Sequence, residues 1–350
     1  MKNKLNPAKI IVAIYLPIFF IVKLQFRKLA ARNWQVEQSR AAEGLKPRSV
    51  LRNLYPKLAL GFIPVIIFLA GISFAEQVTD EIGRSINISP SPKRIVSLAP
   101  GITETLYALG LADKIVGVTS FCNWPVAALQ KQRVGGFINP SIEQIVSLKP
   151  DLIIATADGN RPDTVRQLER IGLPVYVTNP SDTNGILKSI AHLGEITAHK
   201  NAAATLVRHL QKRLNNIEAQ IRQKSKPCVF FQIGLEPLIT VGGETLINET
   251  IERAGGRNMA STDTARYPRY SPEGIMKGSP DIILFAPMAN DKEFIAVKNF
   301  WQKFEGIPAV QNNKIYPINT DLISRASPRI VDAIETMALI FHPEIKIDRR

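Results

Sequence analysis

The chain has 350 residues, 45% of them apolar and 21% charged, long enough for two domains with substantial cores. Its net charge of +14 would suit a polyanion, but residues 1–57 carry twelve Lys/Arg against two Asp/Glu, which leaves only +4 for the rest. A nearly neutral body argues against a nucleic-acid partner, and two cysteines are too few for a disulfide framework.

Residues 1–47 form a basic and apolar extension in which an apolar run, Ile10 to Val22, is broken by Pro17. Residues 48–75 read as a secretory signal. Arg48, Arg52 and Lys57 supply the basic region, Leu58 to Ile72 the apolar region, and Ser73-Phe74-Ala75 a small-x-small cleavage site before Glu76. The apolar region, interrupted by Pro64, is short for a membrane span. No cysteine follows it directly, so a lipid-modified N-terminus is not expected. A signal belongs at the start of a chain. Either two membrane-associated segments are retained, or translation begins further along, near Val50 or Leu51.

Residues 76–92 are polar and irregular and read as a linker. An N-terminal α/β lobe, 93–197, opens with the strand RIVSL (Arg94 to Leu98) and continues into a helix in ITETLYALGL. KIVGVT (Lys114 to Thr119) is a second strand, FCNWP (Phe121 to Pro125) an aromatic loop, and LIIAT a third strand. A helix near Asp163 to Ile171 and the strand PVYVTN follow. Residues 198–225 hold the longest helix. It contains no Gly or Pro, and Ala203, Val207, Leu210, Leu214, Ile217 and Ile221 recur at spacings of three and four, which marks one apolar stripe. Lys226-Pro227 stops it. The C-terminal lobe, 226–345, has the strand CVFFQIG, a helix between the glycines of GGETLINETIERAGG, the loop ARYPRY, the strand KIYPIN and a closing helix, Ser327 to Phe341.

An internal repeat relates the lobes. SIEQIVSLKPDLIIAT (Ser141 to Thr156) and SPEGIMKGSPDIILFA (Ser271 to Ala286) share Ser, Glu, Ile, Pro, Asp and Ile at an offset of 130. Each copy reads as a capped short helix, a Pro-Asp turn and a buried strand. Alternating strands and helices imply parallel sheets with helical crossovers. The expected fold class is α/β, with two lobes of parallel type joined by a single long helix.

RIVSLAPGITETLYALGL, VGGFINPSIEQIVSLKPDLIIA, GLPVYV and SRASPRI resemble, in order and spacing over about residues 92–342, the cobalamin-binding periplasmic proteins of ABC importers. That group also includes receptors for ferric siderophores and haem. The resemblance implies a corrinoid held in a cleft between the lobes and delivered to a permease dimer. It implies no cofactor beyond the transported ligand, and the free protein is expected to be a monomer.

Candidate site residues follow. Glu143 and Glu273 sit in the first turns of the repeated helices, where a Ser cap and the helix dipole favour an anion whether or not a partner docks there. By resemblance they engage arginines on the two permease subunits. Phe121, Trp124, Phe137 and Tyr267 lie in loops beside Gly, Pro or Asn, where a core aromatic is less expected. Aromatic faces suit the broad apolar plate of a corrin. By resemblance Phe137 and Tyr267 stand where tryptophans contact ligand and Trp124 near a tyrosine, whereas Thr156 departs from an expected aromatic. Asp321 and Arg325, four residues apart, form either a surface ion pair of ~0–1 kcal/mol or, by resemblance, an edge of the ligand site. The four histidines are scattered without metal-ligand spacing, and no phosphate loop, GxGxxG turn or nucleophile elbow occurs. Catalytic and metal residues are therefore not expected. A haem or siderophore receptor is the alternative within the class, and a two-lobed α/β enzyme the remote one.

Overall fold

The computed structural model describes residues 76–286 and 291–347, with side chains omitted for 291–294, and scattered positions between 35 and 44. The signal (48–75) and nearly all of the extension (1–47) lie outside the described residues.

The stretch expected to be a linker is instead a hairpin, β1 (Glu76–Thr79) paired antiparallel with β2 (Ser85–Ile88). Ile86 and Ile88 alternate with polar residues and are buried in the main core. The turn clamps the edge of the N-terminal sheet. Glu81 N donates to Val177 O (3.1 Å), and the Glu81 carboxylate accepts from Asn179 N (2.7 Å) and Ser189 Oγ (2.6 Å). Arg84 joins Asp80 (2.6 Å) to Glu169 (2.7 Å). An open sheet edge leaves unpaired backbone groups, and this hairpin covers part of one.

The N-terminal lobe then runs β3 (Ile95–Ser97), α1 (Pro100–Ala108), β4 (Ile115–Val118), α2 (Ile142–Ser147), β5 (Leu152–Thr156), α3 (Pro162–Arg170), β6 (Val175–Thr178) and α4 (Thr183–Ile196). Its sheet has the order β4-β3-β5-β6 and every pair is parallel. The strands are apolar without alternation because helices cover both faces. The long helix α5 (Lys200–Ile221) follows, 22 residues or about 33 Å at ~1.5 Å per residue.

The C-terminal lobe comprises β7 (Cys228–Gln232), β8 (Gly234–Leu235), β9 (Leu238–Ile239), α6 (Leu246–Arg253), β10 (Arg257–Asn258), α7 (Pro272–Gly278), β11 (Ile282–Phe285), α8 (Asp291–Trp301), α9 (Pro308–Gln311), β12 (Ile315–Pro317), α10 (Thr320–Ile323) and α11 (Ile330–Phe341). Its sheet, β10-β7-β11-β12, is again wholly parallel.

The repeat has a structural purpose at its Pro-Asp turn. Asp151 accepts from Lys93 N (2.7 Å) and Arg94 N (2.8 Å), and its own N–H donates to Arg94 O (3.0 Å). Asp281 accepts from Cys228 N (2.7 Å) and donates to Cys228 O (2.8 Å). In each lobe the aspartate buckles the repeat strand to the first strand of the sheet. The residue two before it, Lys149 (φ 46°) or Ser279 (φ 49°), is left-handed in both copies. That conformation costs ~1–3 kcal/mol for a non-glycine residue, so the surrounding turn enforces it.

The lobes do not have wholly separate interiors. One apolar cluster runs from Ile95, Leu106 and Leu152, through Leu210, Leu214 and Ile217 of α5, to Val229, Ile334 and Met337. Smaller clusters lie on the other sheet faces, around Ile153 and Leu168 in the first lobe and around Phe230 and Trp301 in the second. Arg213 of α5 ties into α11 through Asp332 (2.6 Å) and Glu335 (2.6 Å).

Candidate functional site

Parallel sheets place loops at the carboxyl ends of their strands, where ligands of open α/β folds bind. Here loops after β3, β4, β5, β6 and β12 converge with the start of α6 and the 265–267 segment on a cleft of ≈ 680 Å³. That lies within the ~300–1,000 Å³ range of small-molecule sites. Buried Asn160 knits the first-lobe loops together. Its amide donates to Leu98 O (3.1 Å) and Phe137 O (2.8 Å), and its carbonyl accepts from Thr156 N (2.8 Å).

Of the six residues expected around ligand, Phe121, Phe137, Tyr267, Asp321 and Arg325 line this cleft. Phe121 and Tyr267 keep more than half of their surface exposed. Thr156 lines it too, so a small polar surface stands where an aromatic was expected.

Trp124, the sixth, is not among the residues that line the cleft, although 46% of its surface is exposed. The Arg329 guanidinium sits over one face of its ring, 4.4 Å from the centroid, a cation–π contact between lobes.

Asp321 and Arg325 do pair with each other (2.6 Å), but the pair is no isolated surface bridge. Only 9% of the Arg325 side chain is exposed, and it donates to Glu104 (2.7 Å) and Asn123 Oδ1 (2.7 Å) of the opposite lobe. Asn123 returns a bond to Asp321 (3.0 Å). Glu104, 2% exposed, also accepts from Ser327 Oγ (2.7 Å) and Arg329 (3.3 Å). A buried carboxylate is tolerated only when so fully partnered. Beside it Gly101 is indispensable, because a Cβ there would stand 2.5 Å from the carbonyl oxygen of Ala326. The lobes meet again where Glu249 accepts from Thr183 N (2.7 Å) and Oγ1 (2.8 Å).

Glu143 and Glu273 open α2 and α7 and are not among the residues that line the cleft. Ser141 Oγ accepts from Gln144 N (3.3 Å) and Ser271 Oγ from Gly274 N (3.2 Å), so the expected caps form in both copies. Both carboxylates are exposed. Its own backbone N–H, and then the Ser271 hydroxyl, hold the Glu273 carboxyl below the usual carboxylate range. One turn on, Val146 (43% exposed) and Met276 (40%) occupy equivalent positions and leave apolar surface in solvent beside each glutamate.

Sequence reasoning missed Glu104, Asn160, Asp158 and Arg266, the last two of which also line the cleft. The signals were present but weak: a glutamate inside an apolar helix, and an arginine beside a loop tyrosine. Cys122 and Cys228 are buried and free, as their placement in different lobes implied. Among the described residues no group of three or more His, Cys, Asp or Glu is placed to hold a metal, and no helix is long and apolar enough to cross a membrane.

Comparison with known proteins fits this architecture. The periplasmic binding protein family profile matches residues 95–322. The vitamin B12-binding protein of Vibrio cholerae serotype O1 (strain ATCC 39541 / Classical Ogawa 395 / O395) is 31% identical over 253 residues, covering 72% of this chain and 90% of that protein. The uncharacterized ABC transporter substrate-binding lipoprotein YvrC of Bacillus subtilis (strain 168) is 30% identical over 278 residues, 77% of this chain and 87% of the relative. The crystal structure of the periplasmic vitamin B12 binding protein BtuF of Vibrio cholerae matches with a TM-score of 0.64 at 30% identity, over 71% of this chain and 96% of that one. The chain belongs to the periplasmic binding protein family.

Proposed function

We propose that this periplasmic binding protein captures cobalamin or a related corrinoid between its lobes and hands it to the permease dimer of an ABC importer, without chemistry. One observation carries the reading: Phe121, Phe137 and Tyr267 from separate loops of both lobes line a single cleft of ≈ 680 Å³. Such a lining offers apolar faces to a broad macrocycle, while the neighbouring polar side chains can meet amide arms. The relatives named for vitamin B12 support the choice of ligand, and Thr156 makes this cleft more open on one wall than a fully aromatic one. Delivery fits Glu143 and Glu273, which present one carboxylate per lobe on matching helices to arginines of a two-subunit partner. Export through the cleaved signal puts the protein in the periplasm as a monomer. Glu76, the residue after the expected cleavage site, is also the first residue of β1.

The test is calorimetric titration of the purified full-length protein with cyanocobalamin and, separately, with haem. Saturable cobalamin binding at micromolar ligand or below is expected. Saturable haem binding beside a flat cobalamin trace would reassign the protein as a haem receptor of the same class.

A further inference from the structure

The charges in the cleft are not equally engaged. Asp158, Arg266, Asp321 and Arg325 are the acidic and basic side chains that line it. Asp321 and Arg325 are spent on each other, on Glu104 and on Asn123. Asp158 and Arg266 are exposed, and neither side chain has a hydrogen bond or ion pair among the described residues. They belong to different lobes, the acid in the loop after β5 and the base ahead of α7.

Arg266 is nevertheless carried on a fixed backbone. Its carbonyl accepts from Gly242 N (2.9 Å), and Thr240 N donates to Pro268 O (3.0 Å). Tyr270 N donates to Leu238 O (3.0 Å), and Arg269 bridges antiparallel to Ile239. The segment thus runs antiparallel beside residues 238–242. The approach is so close that a Cβ on Gly242 would stand 2.1 Å from the Ala265 carbonyl oxygen. Tyr270 Oη closes the loop behind it with a bond to Asp263 Oδ2 (2.7 Å). The backbone is held by three hydrogen bonds, while among the described residues the guanidinium at its edge has none of its five N–H donors committed. A planar fork of that kind matches two oxygens of a carboxylate or phosphate.

We infer that Arg266 receives an oxyanion arm of the ligand, and that the unpaired Asp158 on the facing lobe turns that arm away from itself. The cleft is therefore polar from one wall to the other, and a macrocycle with an anionic arm enters with the arm toward the C-terminal lobe. The inference builds on the corrinoid reading, where the oxyanion is the phosphodiester of the nucleotide arm. The carboxylates of haem offer the same chemistry from another source.

Paired probes separate these cases. Full-length protein is titrated with cobalamin and with cobinamide, which lacks the phosphodiester, and in parallel with haem and haem dimethyl ester. The parent should prefer cobalamin to cobinamide by about tenfold, the effect of one charge-assisted hydrogen-bonded contact. Arg266→Gln should lose about tenfold for cobalamin and less than twofold for cobinamide, and Arg266→Lys should recover only part of the loss. The preference should shrink between low and high salt in the parent alone. Asp158→Asn should bind cobalamin at least as tightly as the parent. A preference unchanged in Arg266→Gln, or equal losses for both corrinoids, overturns the inference and leaves the corrinoid reading intact. If only the haem pair binds, the corrinoid reading fails, and the inference stands or falls on whether Arg266→Gln removes a preference for free haem over its ester. Binding of none of the four probes refutes both.

Discussion

Glu104 offers the most searching test of how the lobes are held. Its carboxylate is 2% exposed and meets Arg325 (2.7 Å), Ser327 (2.7 Å) and Arg329 (3.3 Å), all from the other lobe. Glu104→Ala removes the acceptor and leaves two guanidinium groups facing a cavity. Breaking a buried pair by removing one partner costs ~3–5 kcal/mol. Two details put this case near the low end. Arg325 keeps Asp321 (2.6 Å) and Asn123 (2.7 Å), and Arg329 keeps its place over the Trp124 ring. About 3 kcal/mol is therefore expected, a large fraction of a typical ~5–15 kcal/mol stability. The assay is urea unfolding of parent and variant followed by far-UV dichroism, with ligand titration of each folded protein. Affinity should fall as well, because Arg325 and Asp321 are presented to the cleft from this network. A Glu104→Leu, Arg325→Met double variant should recover most of the stability, since an apolar substitute for a buried pair is often near neutral, but not the affinity. A Glu104→Ala variant within ~0.5 kcal/mol of the parent, inside the usual range for surface changes, would refute the reasoning. So would a double variant as unstable as the single one.

Other outcomes follow from features already described. The Glu143→Lys, Glu273→Lys variant should bind ligand normally and fail in uptake with the permease present; normal uptake would reduce both glutamates to helix-capping groups. Val146→Ser with Met276→Ser should lower uptake in the same way if the exposed apolar pair adds to docking, and unchanged uptake would confine docking to the carboxylates. Burial and then the Asp263 bond push the Tyr270 hydroxyl up from its ordinary value to about 12. The raised value means its contribution is whole below pH ~10 and is lost as pH climbs through about 12, so alkaline loosening of the 263–270 loop should vanish in Tyr270→Phe. Hydrogen exchange across that loop measures it, and an identical alkaline profile in the variant would count against the bond. N-terminal sequencing of periplasmic protein should begin at Glu76; a Met1 terminus on membrane-bound protein would favour retention of the leading segments.

The parts of the fold that could be read from the sequence are those whose signal is local and periodic. The α5 stripe repeats every three or four residues, and the same positions Ala203, Leu210, Leu214 and Ile217 are buried. The repeated Ser, Pro and Asp are legible because each satisfies a backbone group within its own turn or the adjoining strand. β1–β2 was missed because only Ser85–Ile88 alternates, amid charged residues whose partners on β6 and α4 lie about 100 residues away. α4 escaped because Gly185 and Gly194 interrupt an otherwise apolar pattern. The cation partner of Trp124 was unreadable for a similar reason. A loop aromatic beside proline suits either a ligand or a distant cation, and only the tertiary fold brings Arg329 over its ring. The Glu104–Arg325 pair spans 221 residues of sequence, and no local pattern announces it.

The apolar cluster that passes through α5 makes the two halves thermodynamically one object. Leu210, Leu214 and Ile217 each contribute surface to an interior that also holds residues from both sheets. Melting either lobe would expose the flank of the other, so neither has a cheap unfolded state of its own. Calorimetry should then show a single endotherm, with equal van't Hoff and measured enthalpies, rather than the two shoulders of a beaded pair. A protein cut within α5 would yield two fragments that each carry half of a hydrophobic wall, soluble only in each other's company. The repeat records two similar halves, and this stem gives them one shared interior.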